Sequence, residues 1–219
     1  MDAIFLERRL LQLGVRNVEA FRAKLVANTD SPEVTRDLLS EAAAAIMFTT
    51  GGFTVEMHDR PDLWLTGFGQ TIAAEVKHFR YKNQDSLDDF VLRNHGDYLV
   101  EFGDPSVTEG LVAWDQVASV ARRKAVQFKG HTPYLLVVEN SSLHCIDDVV
   151  VRTAANILDE EASNVAGSPV SRLNGIVLLS NESRMPEGRN VYFFELNASQ
   201  HSLPHSARAA LRGIRRWGY

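Results

Sequence analysis

The sequence predicts an α/β protein in which helices flank a mixed central β-sheet. Two observations lead to this prediction. Helical periodicities and short apolar strand patterns follow one another in the order helix, three strands, helix, strand, helix, two strands and a final helix. The 219 residues are 45% apolar and 23% charged, which is typical of globular proteins and excludes wholesale disorder, collagen-like repeats and coiled coils.

The first half of the chain predicts helices followed by a strand meander. Residues 1–28 carry leucine and valine at helical spacing, which predicts one helix or two short ones. A longer helix is expected next, with Ser31 as its cap, Pro32 in its first turn and the pair Gly51–Gly52 at its end. Short, partly alternating segments separated by turn-prone residues then predict three consecutive strands, at 53–59, 62–67 and 72–79.

The second half alternates helices with apolar strands. Residues 85–97 indicate a short helix or a loop insertion. The elements expected after it are a helix at 111–128, a buried strand at 134–140, a helix at 147–161, strands at 175–181 and 191–197, and a C-terminal helix. Without internal repeats or long linkers, we expect one domain overall, made of an N-terminal helical segment (1–28), a core (29–140) and a C-terminal extension (141–219) that completes the sheet and its flanking helices.

Composition excludes several classes of protein. The formal charge of −5 argues against coating of nucleic acid by bulk electrostatics, so such binding would need a local basic patch, for example at residues 122–124. The single Cys145 permits no internal disulfide, which fits a reducing cytoplasm. No apolar run is long enough to cross a membrane, and the N-terminus lacks a signal-peptide pattern. The expected location is therefore the cytoplasm.

The predicted third strand carries a charged pair on one face. Period-two alternation places Glu75 and Lys77 on one side and Val76 and His78 on the other. Asp62 stands at the entry of the preceding strand, and a hairpin would bring its carboxylate close to that of Glu75. Two like charges at such a distance cost energy unless a cation lies between them, and hard divalent ions such as Mg²⁺ favour carboxylate sites of this kind.

Pro61-Asp62 followed by Glu75-Val76-Lys77 resembles the Pro-Asp…(Asp/Glu)-x-Lys signature of the restriction-endonuclease-like nuclease superfamily. The order of elements from about residue 32 to 140 is similar to that family's core: a helix, a three-strand meander, a helix and a further strand. Many members also place a glutamate on the first core helix, and Glu41 matches it. Glu41 interrupts an apolar helical stripe, formed by Leu38, Ala45 and Phe48.

The resemblance implies a metal-dependent nuclease that hydrolyses phosphodiester bonds. Asp62, Glu75 and the main-chain carbonyl of Val76 would hold Mg²⁺ or Mn²⁺, and Glu41 would bind the metal directly or through water. Lys77 would orient the attacking water or stabilise its deprotonated form. On the helix after the meander, residues that could contact nucleic acid are Arg123, Lys124 and Gln127; an ordinary polar helix surface is the alternative for them.

The implied partner is nucleic acid, with DNA expected first, in restriction, repair or anti-phage defence, and no membrane. A homodimer or a larger defence complex is compatible with this family. A second hypothesis stays open: a non-catalytic nucleic-acid- or protein-binding module that keeps a nuclease-like fold, or an unrelated α/β scaffold. The acidic net charge mildly favours the second hypothesis, and the joint presence of Asp62, Glu75 and Lys77 favours the first.

Overall fold

A computed structural model describes residues 3–79, 113–140, 146, 148–180, 189–214 and 216–217. Within these ranges the chain forms a mixed β-sheet flanked by helices, so the predicted fold class is confirmed. The short helix or loop expected over 85–97 and the single Cys145 lie outside the described residues. No helix in the described part is both long and apolar enough to cross a membrane.

The described helices follow the predicted order, and the N-terminal segment forms two short helices. Their bounds are α1 Ala3–Gln12, α2 Val18–Ala27, α3 Pro32–Thr50, α4 Ala113–Gln127, α5 Asp148–Asn164 and α6 His205–Gly213, with a 3₁₀ turn at Pro169–Arg172. Ser31 occupies the N-cap position of α3, as predicted, but its side chain makes no capping hydrogen bond. The side chain of Thr35 instead donates to the carbonyl of Asn28, 3.0 Å away.

The described strands lie side by side in chain order in one sheet. Their bounds are β1 Thr54–Met57, β2 Leu63–Gly67, β3 Gln70–Phe79, β4 Tyr134–Asn140, β5 Leu173–Ser180, β6 Arg189–Glu195 and β7 Arg216–Trp217. The first three strands form an antiparallel meander, β3, β4 and β5 run parallel, and β6 and β7 are antiparallel to their neighbours. The chain after residue 140 therefore contributes further strands to the same sheet.

Two features of the sheet differ from the sequence prediction. Strand β3 begins two residues earlier than expected because β2 and β3 are joined by a two-residue turn, in which Phe68 and Gly69 both have positive φ (54° and 81°). Such turns match the right-handed twist of a hairpin. The Phe68 ring packs edge-on against Phe53, with centroids 4.9 Å apart. Strand β7 was not predicted, because two residues are too short to show an alternating pattern.

Apolar layers cover both faces of the sheet. Helices α1, α2, α3 and α6 pack on one face, against the side chains of Ala74 and Val76, among others. Helices α4 and α5 pack on the other, where Ala73 and Tyr134 lie. Because β3 is covered on both faces, each of its side chains points toward a helical layer. A charged residue on this strand must therefore meet a helix or the rim of a layer.

Helix α3 is buried on nearly all sides in its C-terminal half. It contacts α1 and α2 as well as strands β1, β2 and β3. Four consecutive alanines, Ala42 to Ala45, have no exposed surface. Small side chains let neighbouring elements approach the helix closely, and interiors packed to this density tolerate little added volume. The position of Glu41, which directly precedes these alanines, is fixed by this packing.

Enlarging one of these alanines should destabilise the protein. We expect Ala43→Leu to lower the free energy of unfolding by about 1–3 kcal/mol, because the added methyl groups have no space. Ala27→Leu, at an exposed position of α2, should change it by less than about 0.5 kcal/mol. Urea denaturation monitored by circular dichroism measures both. Equal effects of the two substitutions would contradict the close packing of α3.

Candidate active site

Asp62 and Glu75 are brought together by the pairing of β2 with β3. Leu63 lies opposite Ala74 in this antiparallel pair, so the next residue pair outward is Asp62 and Glu75. The backbone N–H of Val76 donates a hydrogen bond to Oδ2 of Asp62 at 2.7 Å. The two residues predicted from the signature therefore lie at neighbouring positions, and Asp62 is anchored directly to the strand that carries Glu75.

The alternation predicted for β3 is confirmed. The carboxylate of Glu75 contacts Nζ of Lys124 on α4, so Glu75 faces the α4 layer, and Lys77 shares that face by alternation. His78 is buried on the other face, with its Nδ1 3.7 Å from Oδ1 of Asp37 on α3. The histidine beside the candidate site thus lies on the opposite face of the sheet from Glu75, as expected, and is packed against α3.

Glu41 reaches the same end of the meander from the α3 layer. It lies on the helical stripe with Leu38, Ala45 and Phe48, which are all buried, and is itself only partly exposed. Burial of its carboxyl group raises its pKa, and the negative charge of Asp62 raises it further. The structure therefore places Glu41 toward the sheet, as the stripe predicted, and not in open solvent.

Helix α2 fixes the turn between β1 and β2 that ends at Asp62. Nζ of Lys24 lies 2.5 Å from Oδ1 of Asp59 and 3.4 Å from the carbonyl oxygen of His58. Nδ2 of Asn17 donates to the carbonyl oxygen of Met57 at 3.2 Å. These groups also line a cavity of about 200 Å³ that reaches Glu41, formed by Asn17, Ala20, Phe21, Lys24, Glu41, Met57, His58 and Asp59.

Burial and mutual repulsion change the protonation of the acidic cluster. Burial, followed by repulsion from Asp62, raises the pKa of Glu41 to about 8, whereas Lys24 opposes the rise. Burial and the charge of Glu75 raise the pKa of Asp62 to about 7, and the hydrogen bond from Val76 lowers it. Groups with such pKa values hold protons near neutral pH because burial and nearby negative charge both disfavour their ionised forms.

The basic residues of α4 are placed differently from one another. Lys124 turns inward and contacts Glu75, with 19% of its side chain exposed. Arg123 and Gln127 are exposed, and Arg122 is bonded to Glu161 of α5 at 2.7 Å. Lys124 therefore belongs to the candidate site itself, and Arg123 and Gln127 lie on the outer surface of the same helix.

Two further residues belong to the site and were not predicted. Lys24 of α2 holds the turn before Asp62, but it appeared in the sequence only as one charge on an amphipathic helix. Tyr134 is buried on the α4 face of β4 and stacks on Phe128, with ring centroids 4.3 Å apart. Burial and then the charge of Glu75 raise the pKa of its hydroxyl group. A buried tyrosine hydroxyl requires a polar neighbour. This requirement was the only feature of its apolar strand that could have pointed to the site.

The oxygen donors at this site fit a hard divalent cation. Across the described residues, no three or more His, Cys, Asp or Glu side chains are grouped so that they could hold a metal ion. A magnesium site needs fewer protein ligands, because one or two carboxylates suffice when water and substrate phosphate complete the coordination. Asp62 and Glu75 could supply these carboxylates. The carbonyl of Val76 points to the same side of β3 as its N–H, and therefore toward Asp62.

The raised pKa of Glu41 predicts how stability depends on pH when a chelator is present. The folded protein keeps a proton on Glu41 that the unfolded chain releases above about pH 4.5. This contribution to stability is present at low pH and is lost as the pH rises through about 8. We therefore expect the free energy of unfolding of Glu41→Gln, relative to that of the parent, to be roughly 1–3 kcal/mol higher at pH 9 than at pH 5.

Urea denaturation in EDTA at pH 5 and pH 9 measures this difference. Glu160→Gln, at an exposed position of α5, is the control and should shift by less than about 0.5 kcal/mol between the two pH values. If the free energy of unfolding of Glu41→Gln, relative to that of the parent, is the same at pH 9 as at pH 5, the carboxyl group of Glu41 is well solvated and the prediction is wrong.

Comparison of the chain with family models, with curated proteins and with solved structures gave no match. The similarity to the nuclease superfamily therefore rests on the residues and the geometry described above: the Pro-Asp and Glu-x-Lys motifs, the meander that pairs them, and the glutamate on α3.

Proposed function

We propose that this protein is a metal-dependent nuclease that hydrolyses phosphodiester bonds, with DNA as the expected substrate and Mg²⁺ or Mn²⁺ as the cofactor. The observation that carries the proposal is the β2–β3 pairing, which sets Asp62 beside Glu75 while Lys77 shares the face of Glu75. A carboxylate pair can hold a divalent ion that activates water for attack at phosphorus, and a neighbouring lysine can stabilise the deprotonated water.

The arrangement of elements supports the same proposal. Helix α3 precedes the antiparallel meander β1–β2–β3, and helix α4 then leads to β4, which runs parallel to β3. This is the order of elements that the resemblance implied. Glu41 approaches the acidic pair from α3, also as the resemblance implied. A restriction-endonuclease-like core is therefore part of the proposal.

Each residue has a defined task in this mechanism. Asp62, Glu75 and the carbonyl of Val76 would hold the cation, and Glu41 would reach it directly or through water. A bound divalent ion acidifies a coordinated water and stabilises the negative charge that builds on the phosphoryl oxygens. Lys77 would orient the attacking water. The oxygen of this water would form a bond to phosphorus as the bond from phosphorus to the leaving oxygen breaks.

The basic residues of α4 complete the proposed substrate site. Arg123 and Gln127 lie exposed on the outer surface of α4, where a phosphate backbone could be contacted. A net charge of −5 is compatible with salt-sensitive binding through a few such groups. The phosphates of nucleic acid are attracted by the positive potential of a local patch, whatever the net charge of the whole protein. Restriction, repair or anti-phage defence would suit such an enzyme, as a homodimer or within a larger complex.

The direct test is incubation with nucleic acids. Linear duplex, circular duplex, single-stranded DNA and RNA are incubated with the purified protein and Mg²⁺ or Mn²⁺, with EDTA as the control. Metal-dependent loss of full-length polymer supports the proposal. Cutting of the circular substrate identifies an endonuclease, and loss of linear substrate alone identifies an enzyme that starts at ends.

Substitutions at Asp62 and Lys77 should fail in different ways. Asp62→Asn removes a cation ligand, so both Mn²⁺ binding and cleavage should be lost. Lys77→Ala removes a positive charge beside the cation, so Mn²⁺ binding should persist or strengthen. Its cleavage rate should nevertheless fall by on the order of 10² or more, the usual scale for one acid–base or electrostatic contributor.

Calorimetry with Mn²⁺ and a timed cleavage assay measure the two properties. The matched controls are Asp30→Asn, at an exposed aspartate just before α3, and Lys129→Ala, an exposed lysine just after α4. Both should cut at close to the parent rate. If Lys77→Ala also does, the role given to Lys77 is wrong; if the parent cuts nothing, the non-catalytic binding module replaces the nuclease.

A further inference from the structure

Lys124 is the basic residue of α4 that lies against the acidic cluster. Its ammonium nitrogen contacts Oε1 of Glu75, across 49 positions of the sequence. Both side chains are largely buried, with 19% of Lys124 and 14% of Glu75 exposed. Its neighbour Arg123 is exposed, and Arg122 is held by Glu161. The contact thus singles out one of three consecutive basic residues.

The contact also competes with cation binding at the same carboxylate. A carboxylate oxygen that accepts a charged hydrogen bond from an ammonium group uses a lone pair that could otherwise coordinate a divalent ion. A dication and an ammonium group on one oxygen would also repel each other strongly at that short distance. Glu75 can therefore be bound by Lys124 or by a dication, but binding by both at full strength is unfavourable.

Building on the proposed nuclease function, we propose that Lys124 is a positioning residue that holds Glu75 and that a divalent cation must displace from Glu75 in order to bind. Lys124 then supplies the positive charge that balances the carboxylate of Glu75 until a cation replaces it. Metal affinity is lowered by the work of breaking this ion pair.

The structure makes the displacement feasible. Lysine carries its charge on a flexible four-carbon stem, so the ammonium group can move while α4 stays in place. About a fifth of the side chain is already exposed, which gives the charge a route to solvent. An arginine, with a planar fork that favours bidentate contact with a carboxylate, would be displaced less easily.

Removal of the Lys124 charge should have two effects of opposite sign. In EDTA, Glu75 and Asp62 lose a compensating cation, so the folded protein becomes less stable. With Mn²⁺, the ion no longer competes with an ammonium group, so binding becomes tighter. An ion pair that serves only the packing of α4 against β3 would produce the first effect and not the second.

The experiment compares Lys124→Met with the parent, using Mn²⁺ calorimetry and thermal unfolding in EDTA. Lys124→Met should lower the Mn²⁺ dissociation constant on the order of tenfold, and its Tm in EDTA should fall by about 2–6 °C. Lys124→Arg keeps the charge and should bind Mn²⁺ no more tightly than the parent. Lys129→Met, the matched control at an exposed lysine just after α4, should change neither quantity.

A second neutral variant, Lys124→Gln, tests the same proposal if Lys124→Met does not fold. Lys124→Gln retains a hydrogen-bond donor for Glu75 without the positive charge, and it should also tighten Mn²⁺ binding. In a protein that already carries Glu75→Gln, Lys124→Gln should not tighten Mn²⁺ binding, because Lys124 has no carboxylate to release in that background. A gain that persists in the double variant would overturn the assignment of Glu75 as the competing ligand.

The remaining outcomes separate this proposal from the nuclease assignment. If the parent binds Mn²⁺ and cuts DNA but neutral variants bind Mn²⁺ no more tightly, the displacement proposal is overturned and the nuclease stands. If the parent neither binds Mn²⁺ nor cuts, the nuclease assignment fails. In that case Mn²⁺ binding gained by Lys124→Met would still support the displacement, and its absence would overturn both.

Discussion

The register between β2 and β3 is the constraint on which the candidate site depends. Leu63 opposite Ala74 puts Asp62 beside Glu75 and aims its carboxylate at the N–H of Val76. A slip of one residue would turn Glu75 to the α3 face of the sheet and the buried His78 to the α4 face. The two-residue turn at Phe68–Gly69 and the apolar layers on both faces fix this register.

Once the register is fixed, charge balance becomes the main energetic problem of the site. Three carboxyl groups share a partly buried region, and the raised pKa values of Glu41 and Asp62 record the cost. Lysines from separate elements reduce it: Lys24 on α2 opposes the shift of Glu41, and Lys124 on α4 contacts Glu75. A cluster of carboxyl groups that destabilises the folded protein unless a divalent cation is bound is typical of a binding or catalytic site.

Much of this site could be predicted from local pattern alone. Alternation in β3 is a local property, so the opposite directions of Glu75 and His78 followed from the sequence. The helical stripe on α3 likewise predicted the inward position of Glu41. The contact of Lys124 with Glu75 depends on how α4 packs against β3, which no local pattern contains. From the sequence, Lys124 was expected either to contact nucleic acid or to lie on an ordinary polar helix surface. Lys24 and Tyr134 were missed for the same reason.

Anomalous diffraction from crystals grown with Mn²⁺ would show whether Asp62 and Glu75 hold a cation, because it locates the ion without relying on activity. We expect one strong Mn²⁺ peak within about 2.0–2.3 Å of carboxylate oxygens of both Asp62 and Glu75, with Nζ of Lys124 withdrawn from Glu75. A protein saturated with Mn²⁺ that shows no peak between these carboxylates, while Lys124 still contacts Glu75, would contradict this expectation.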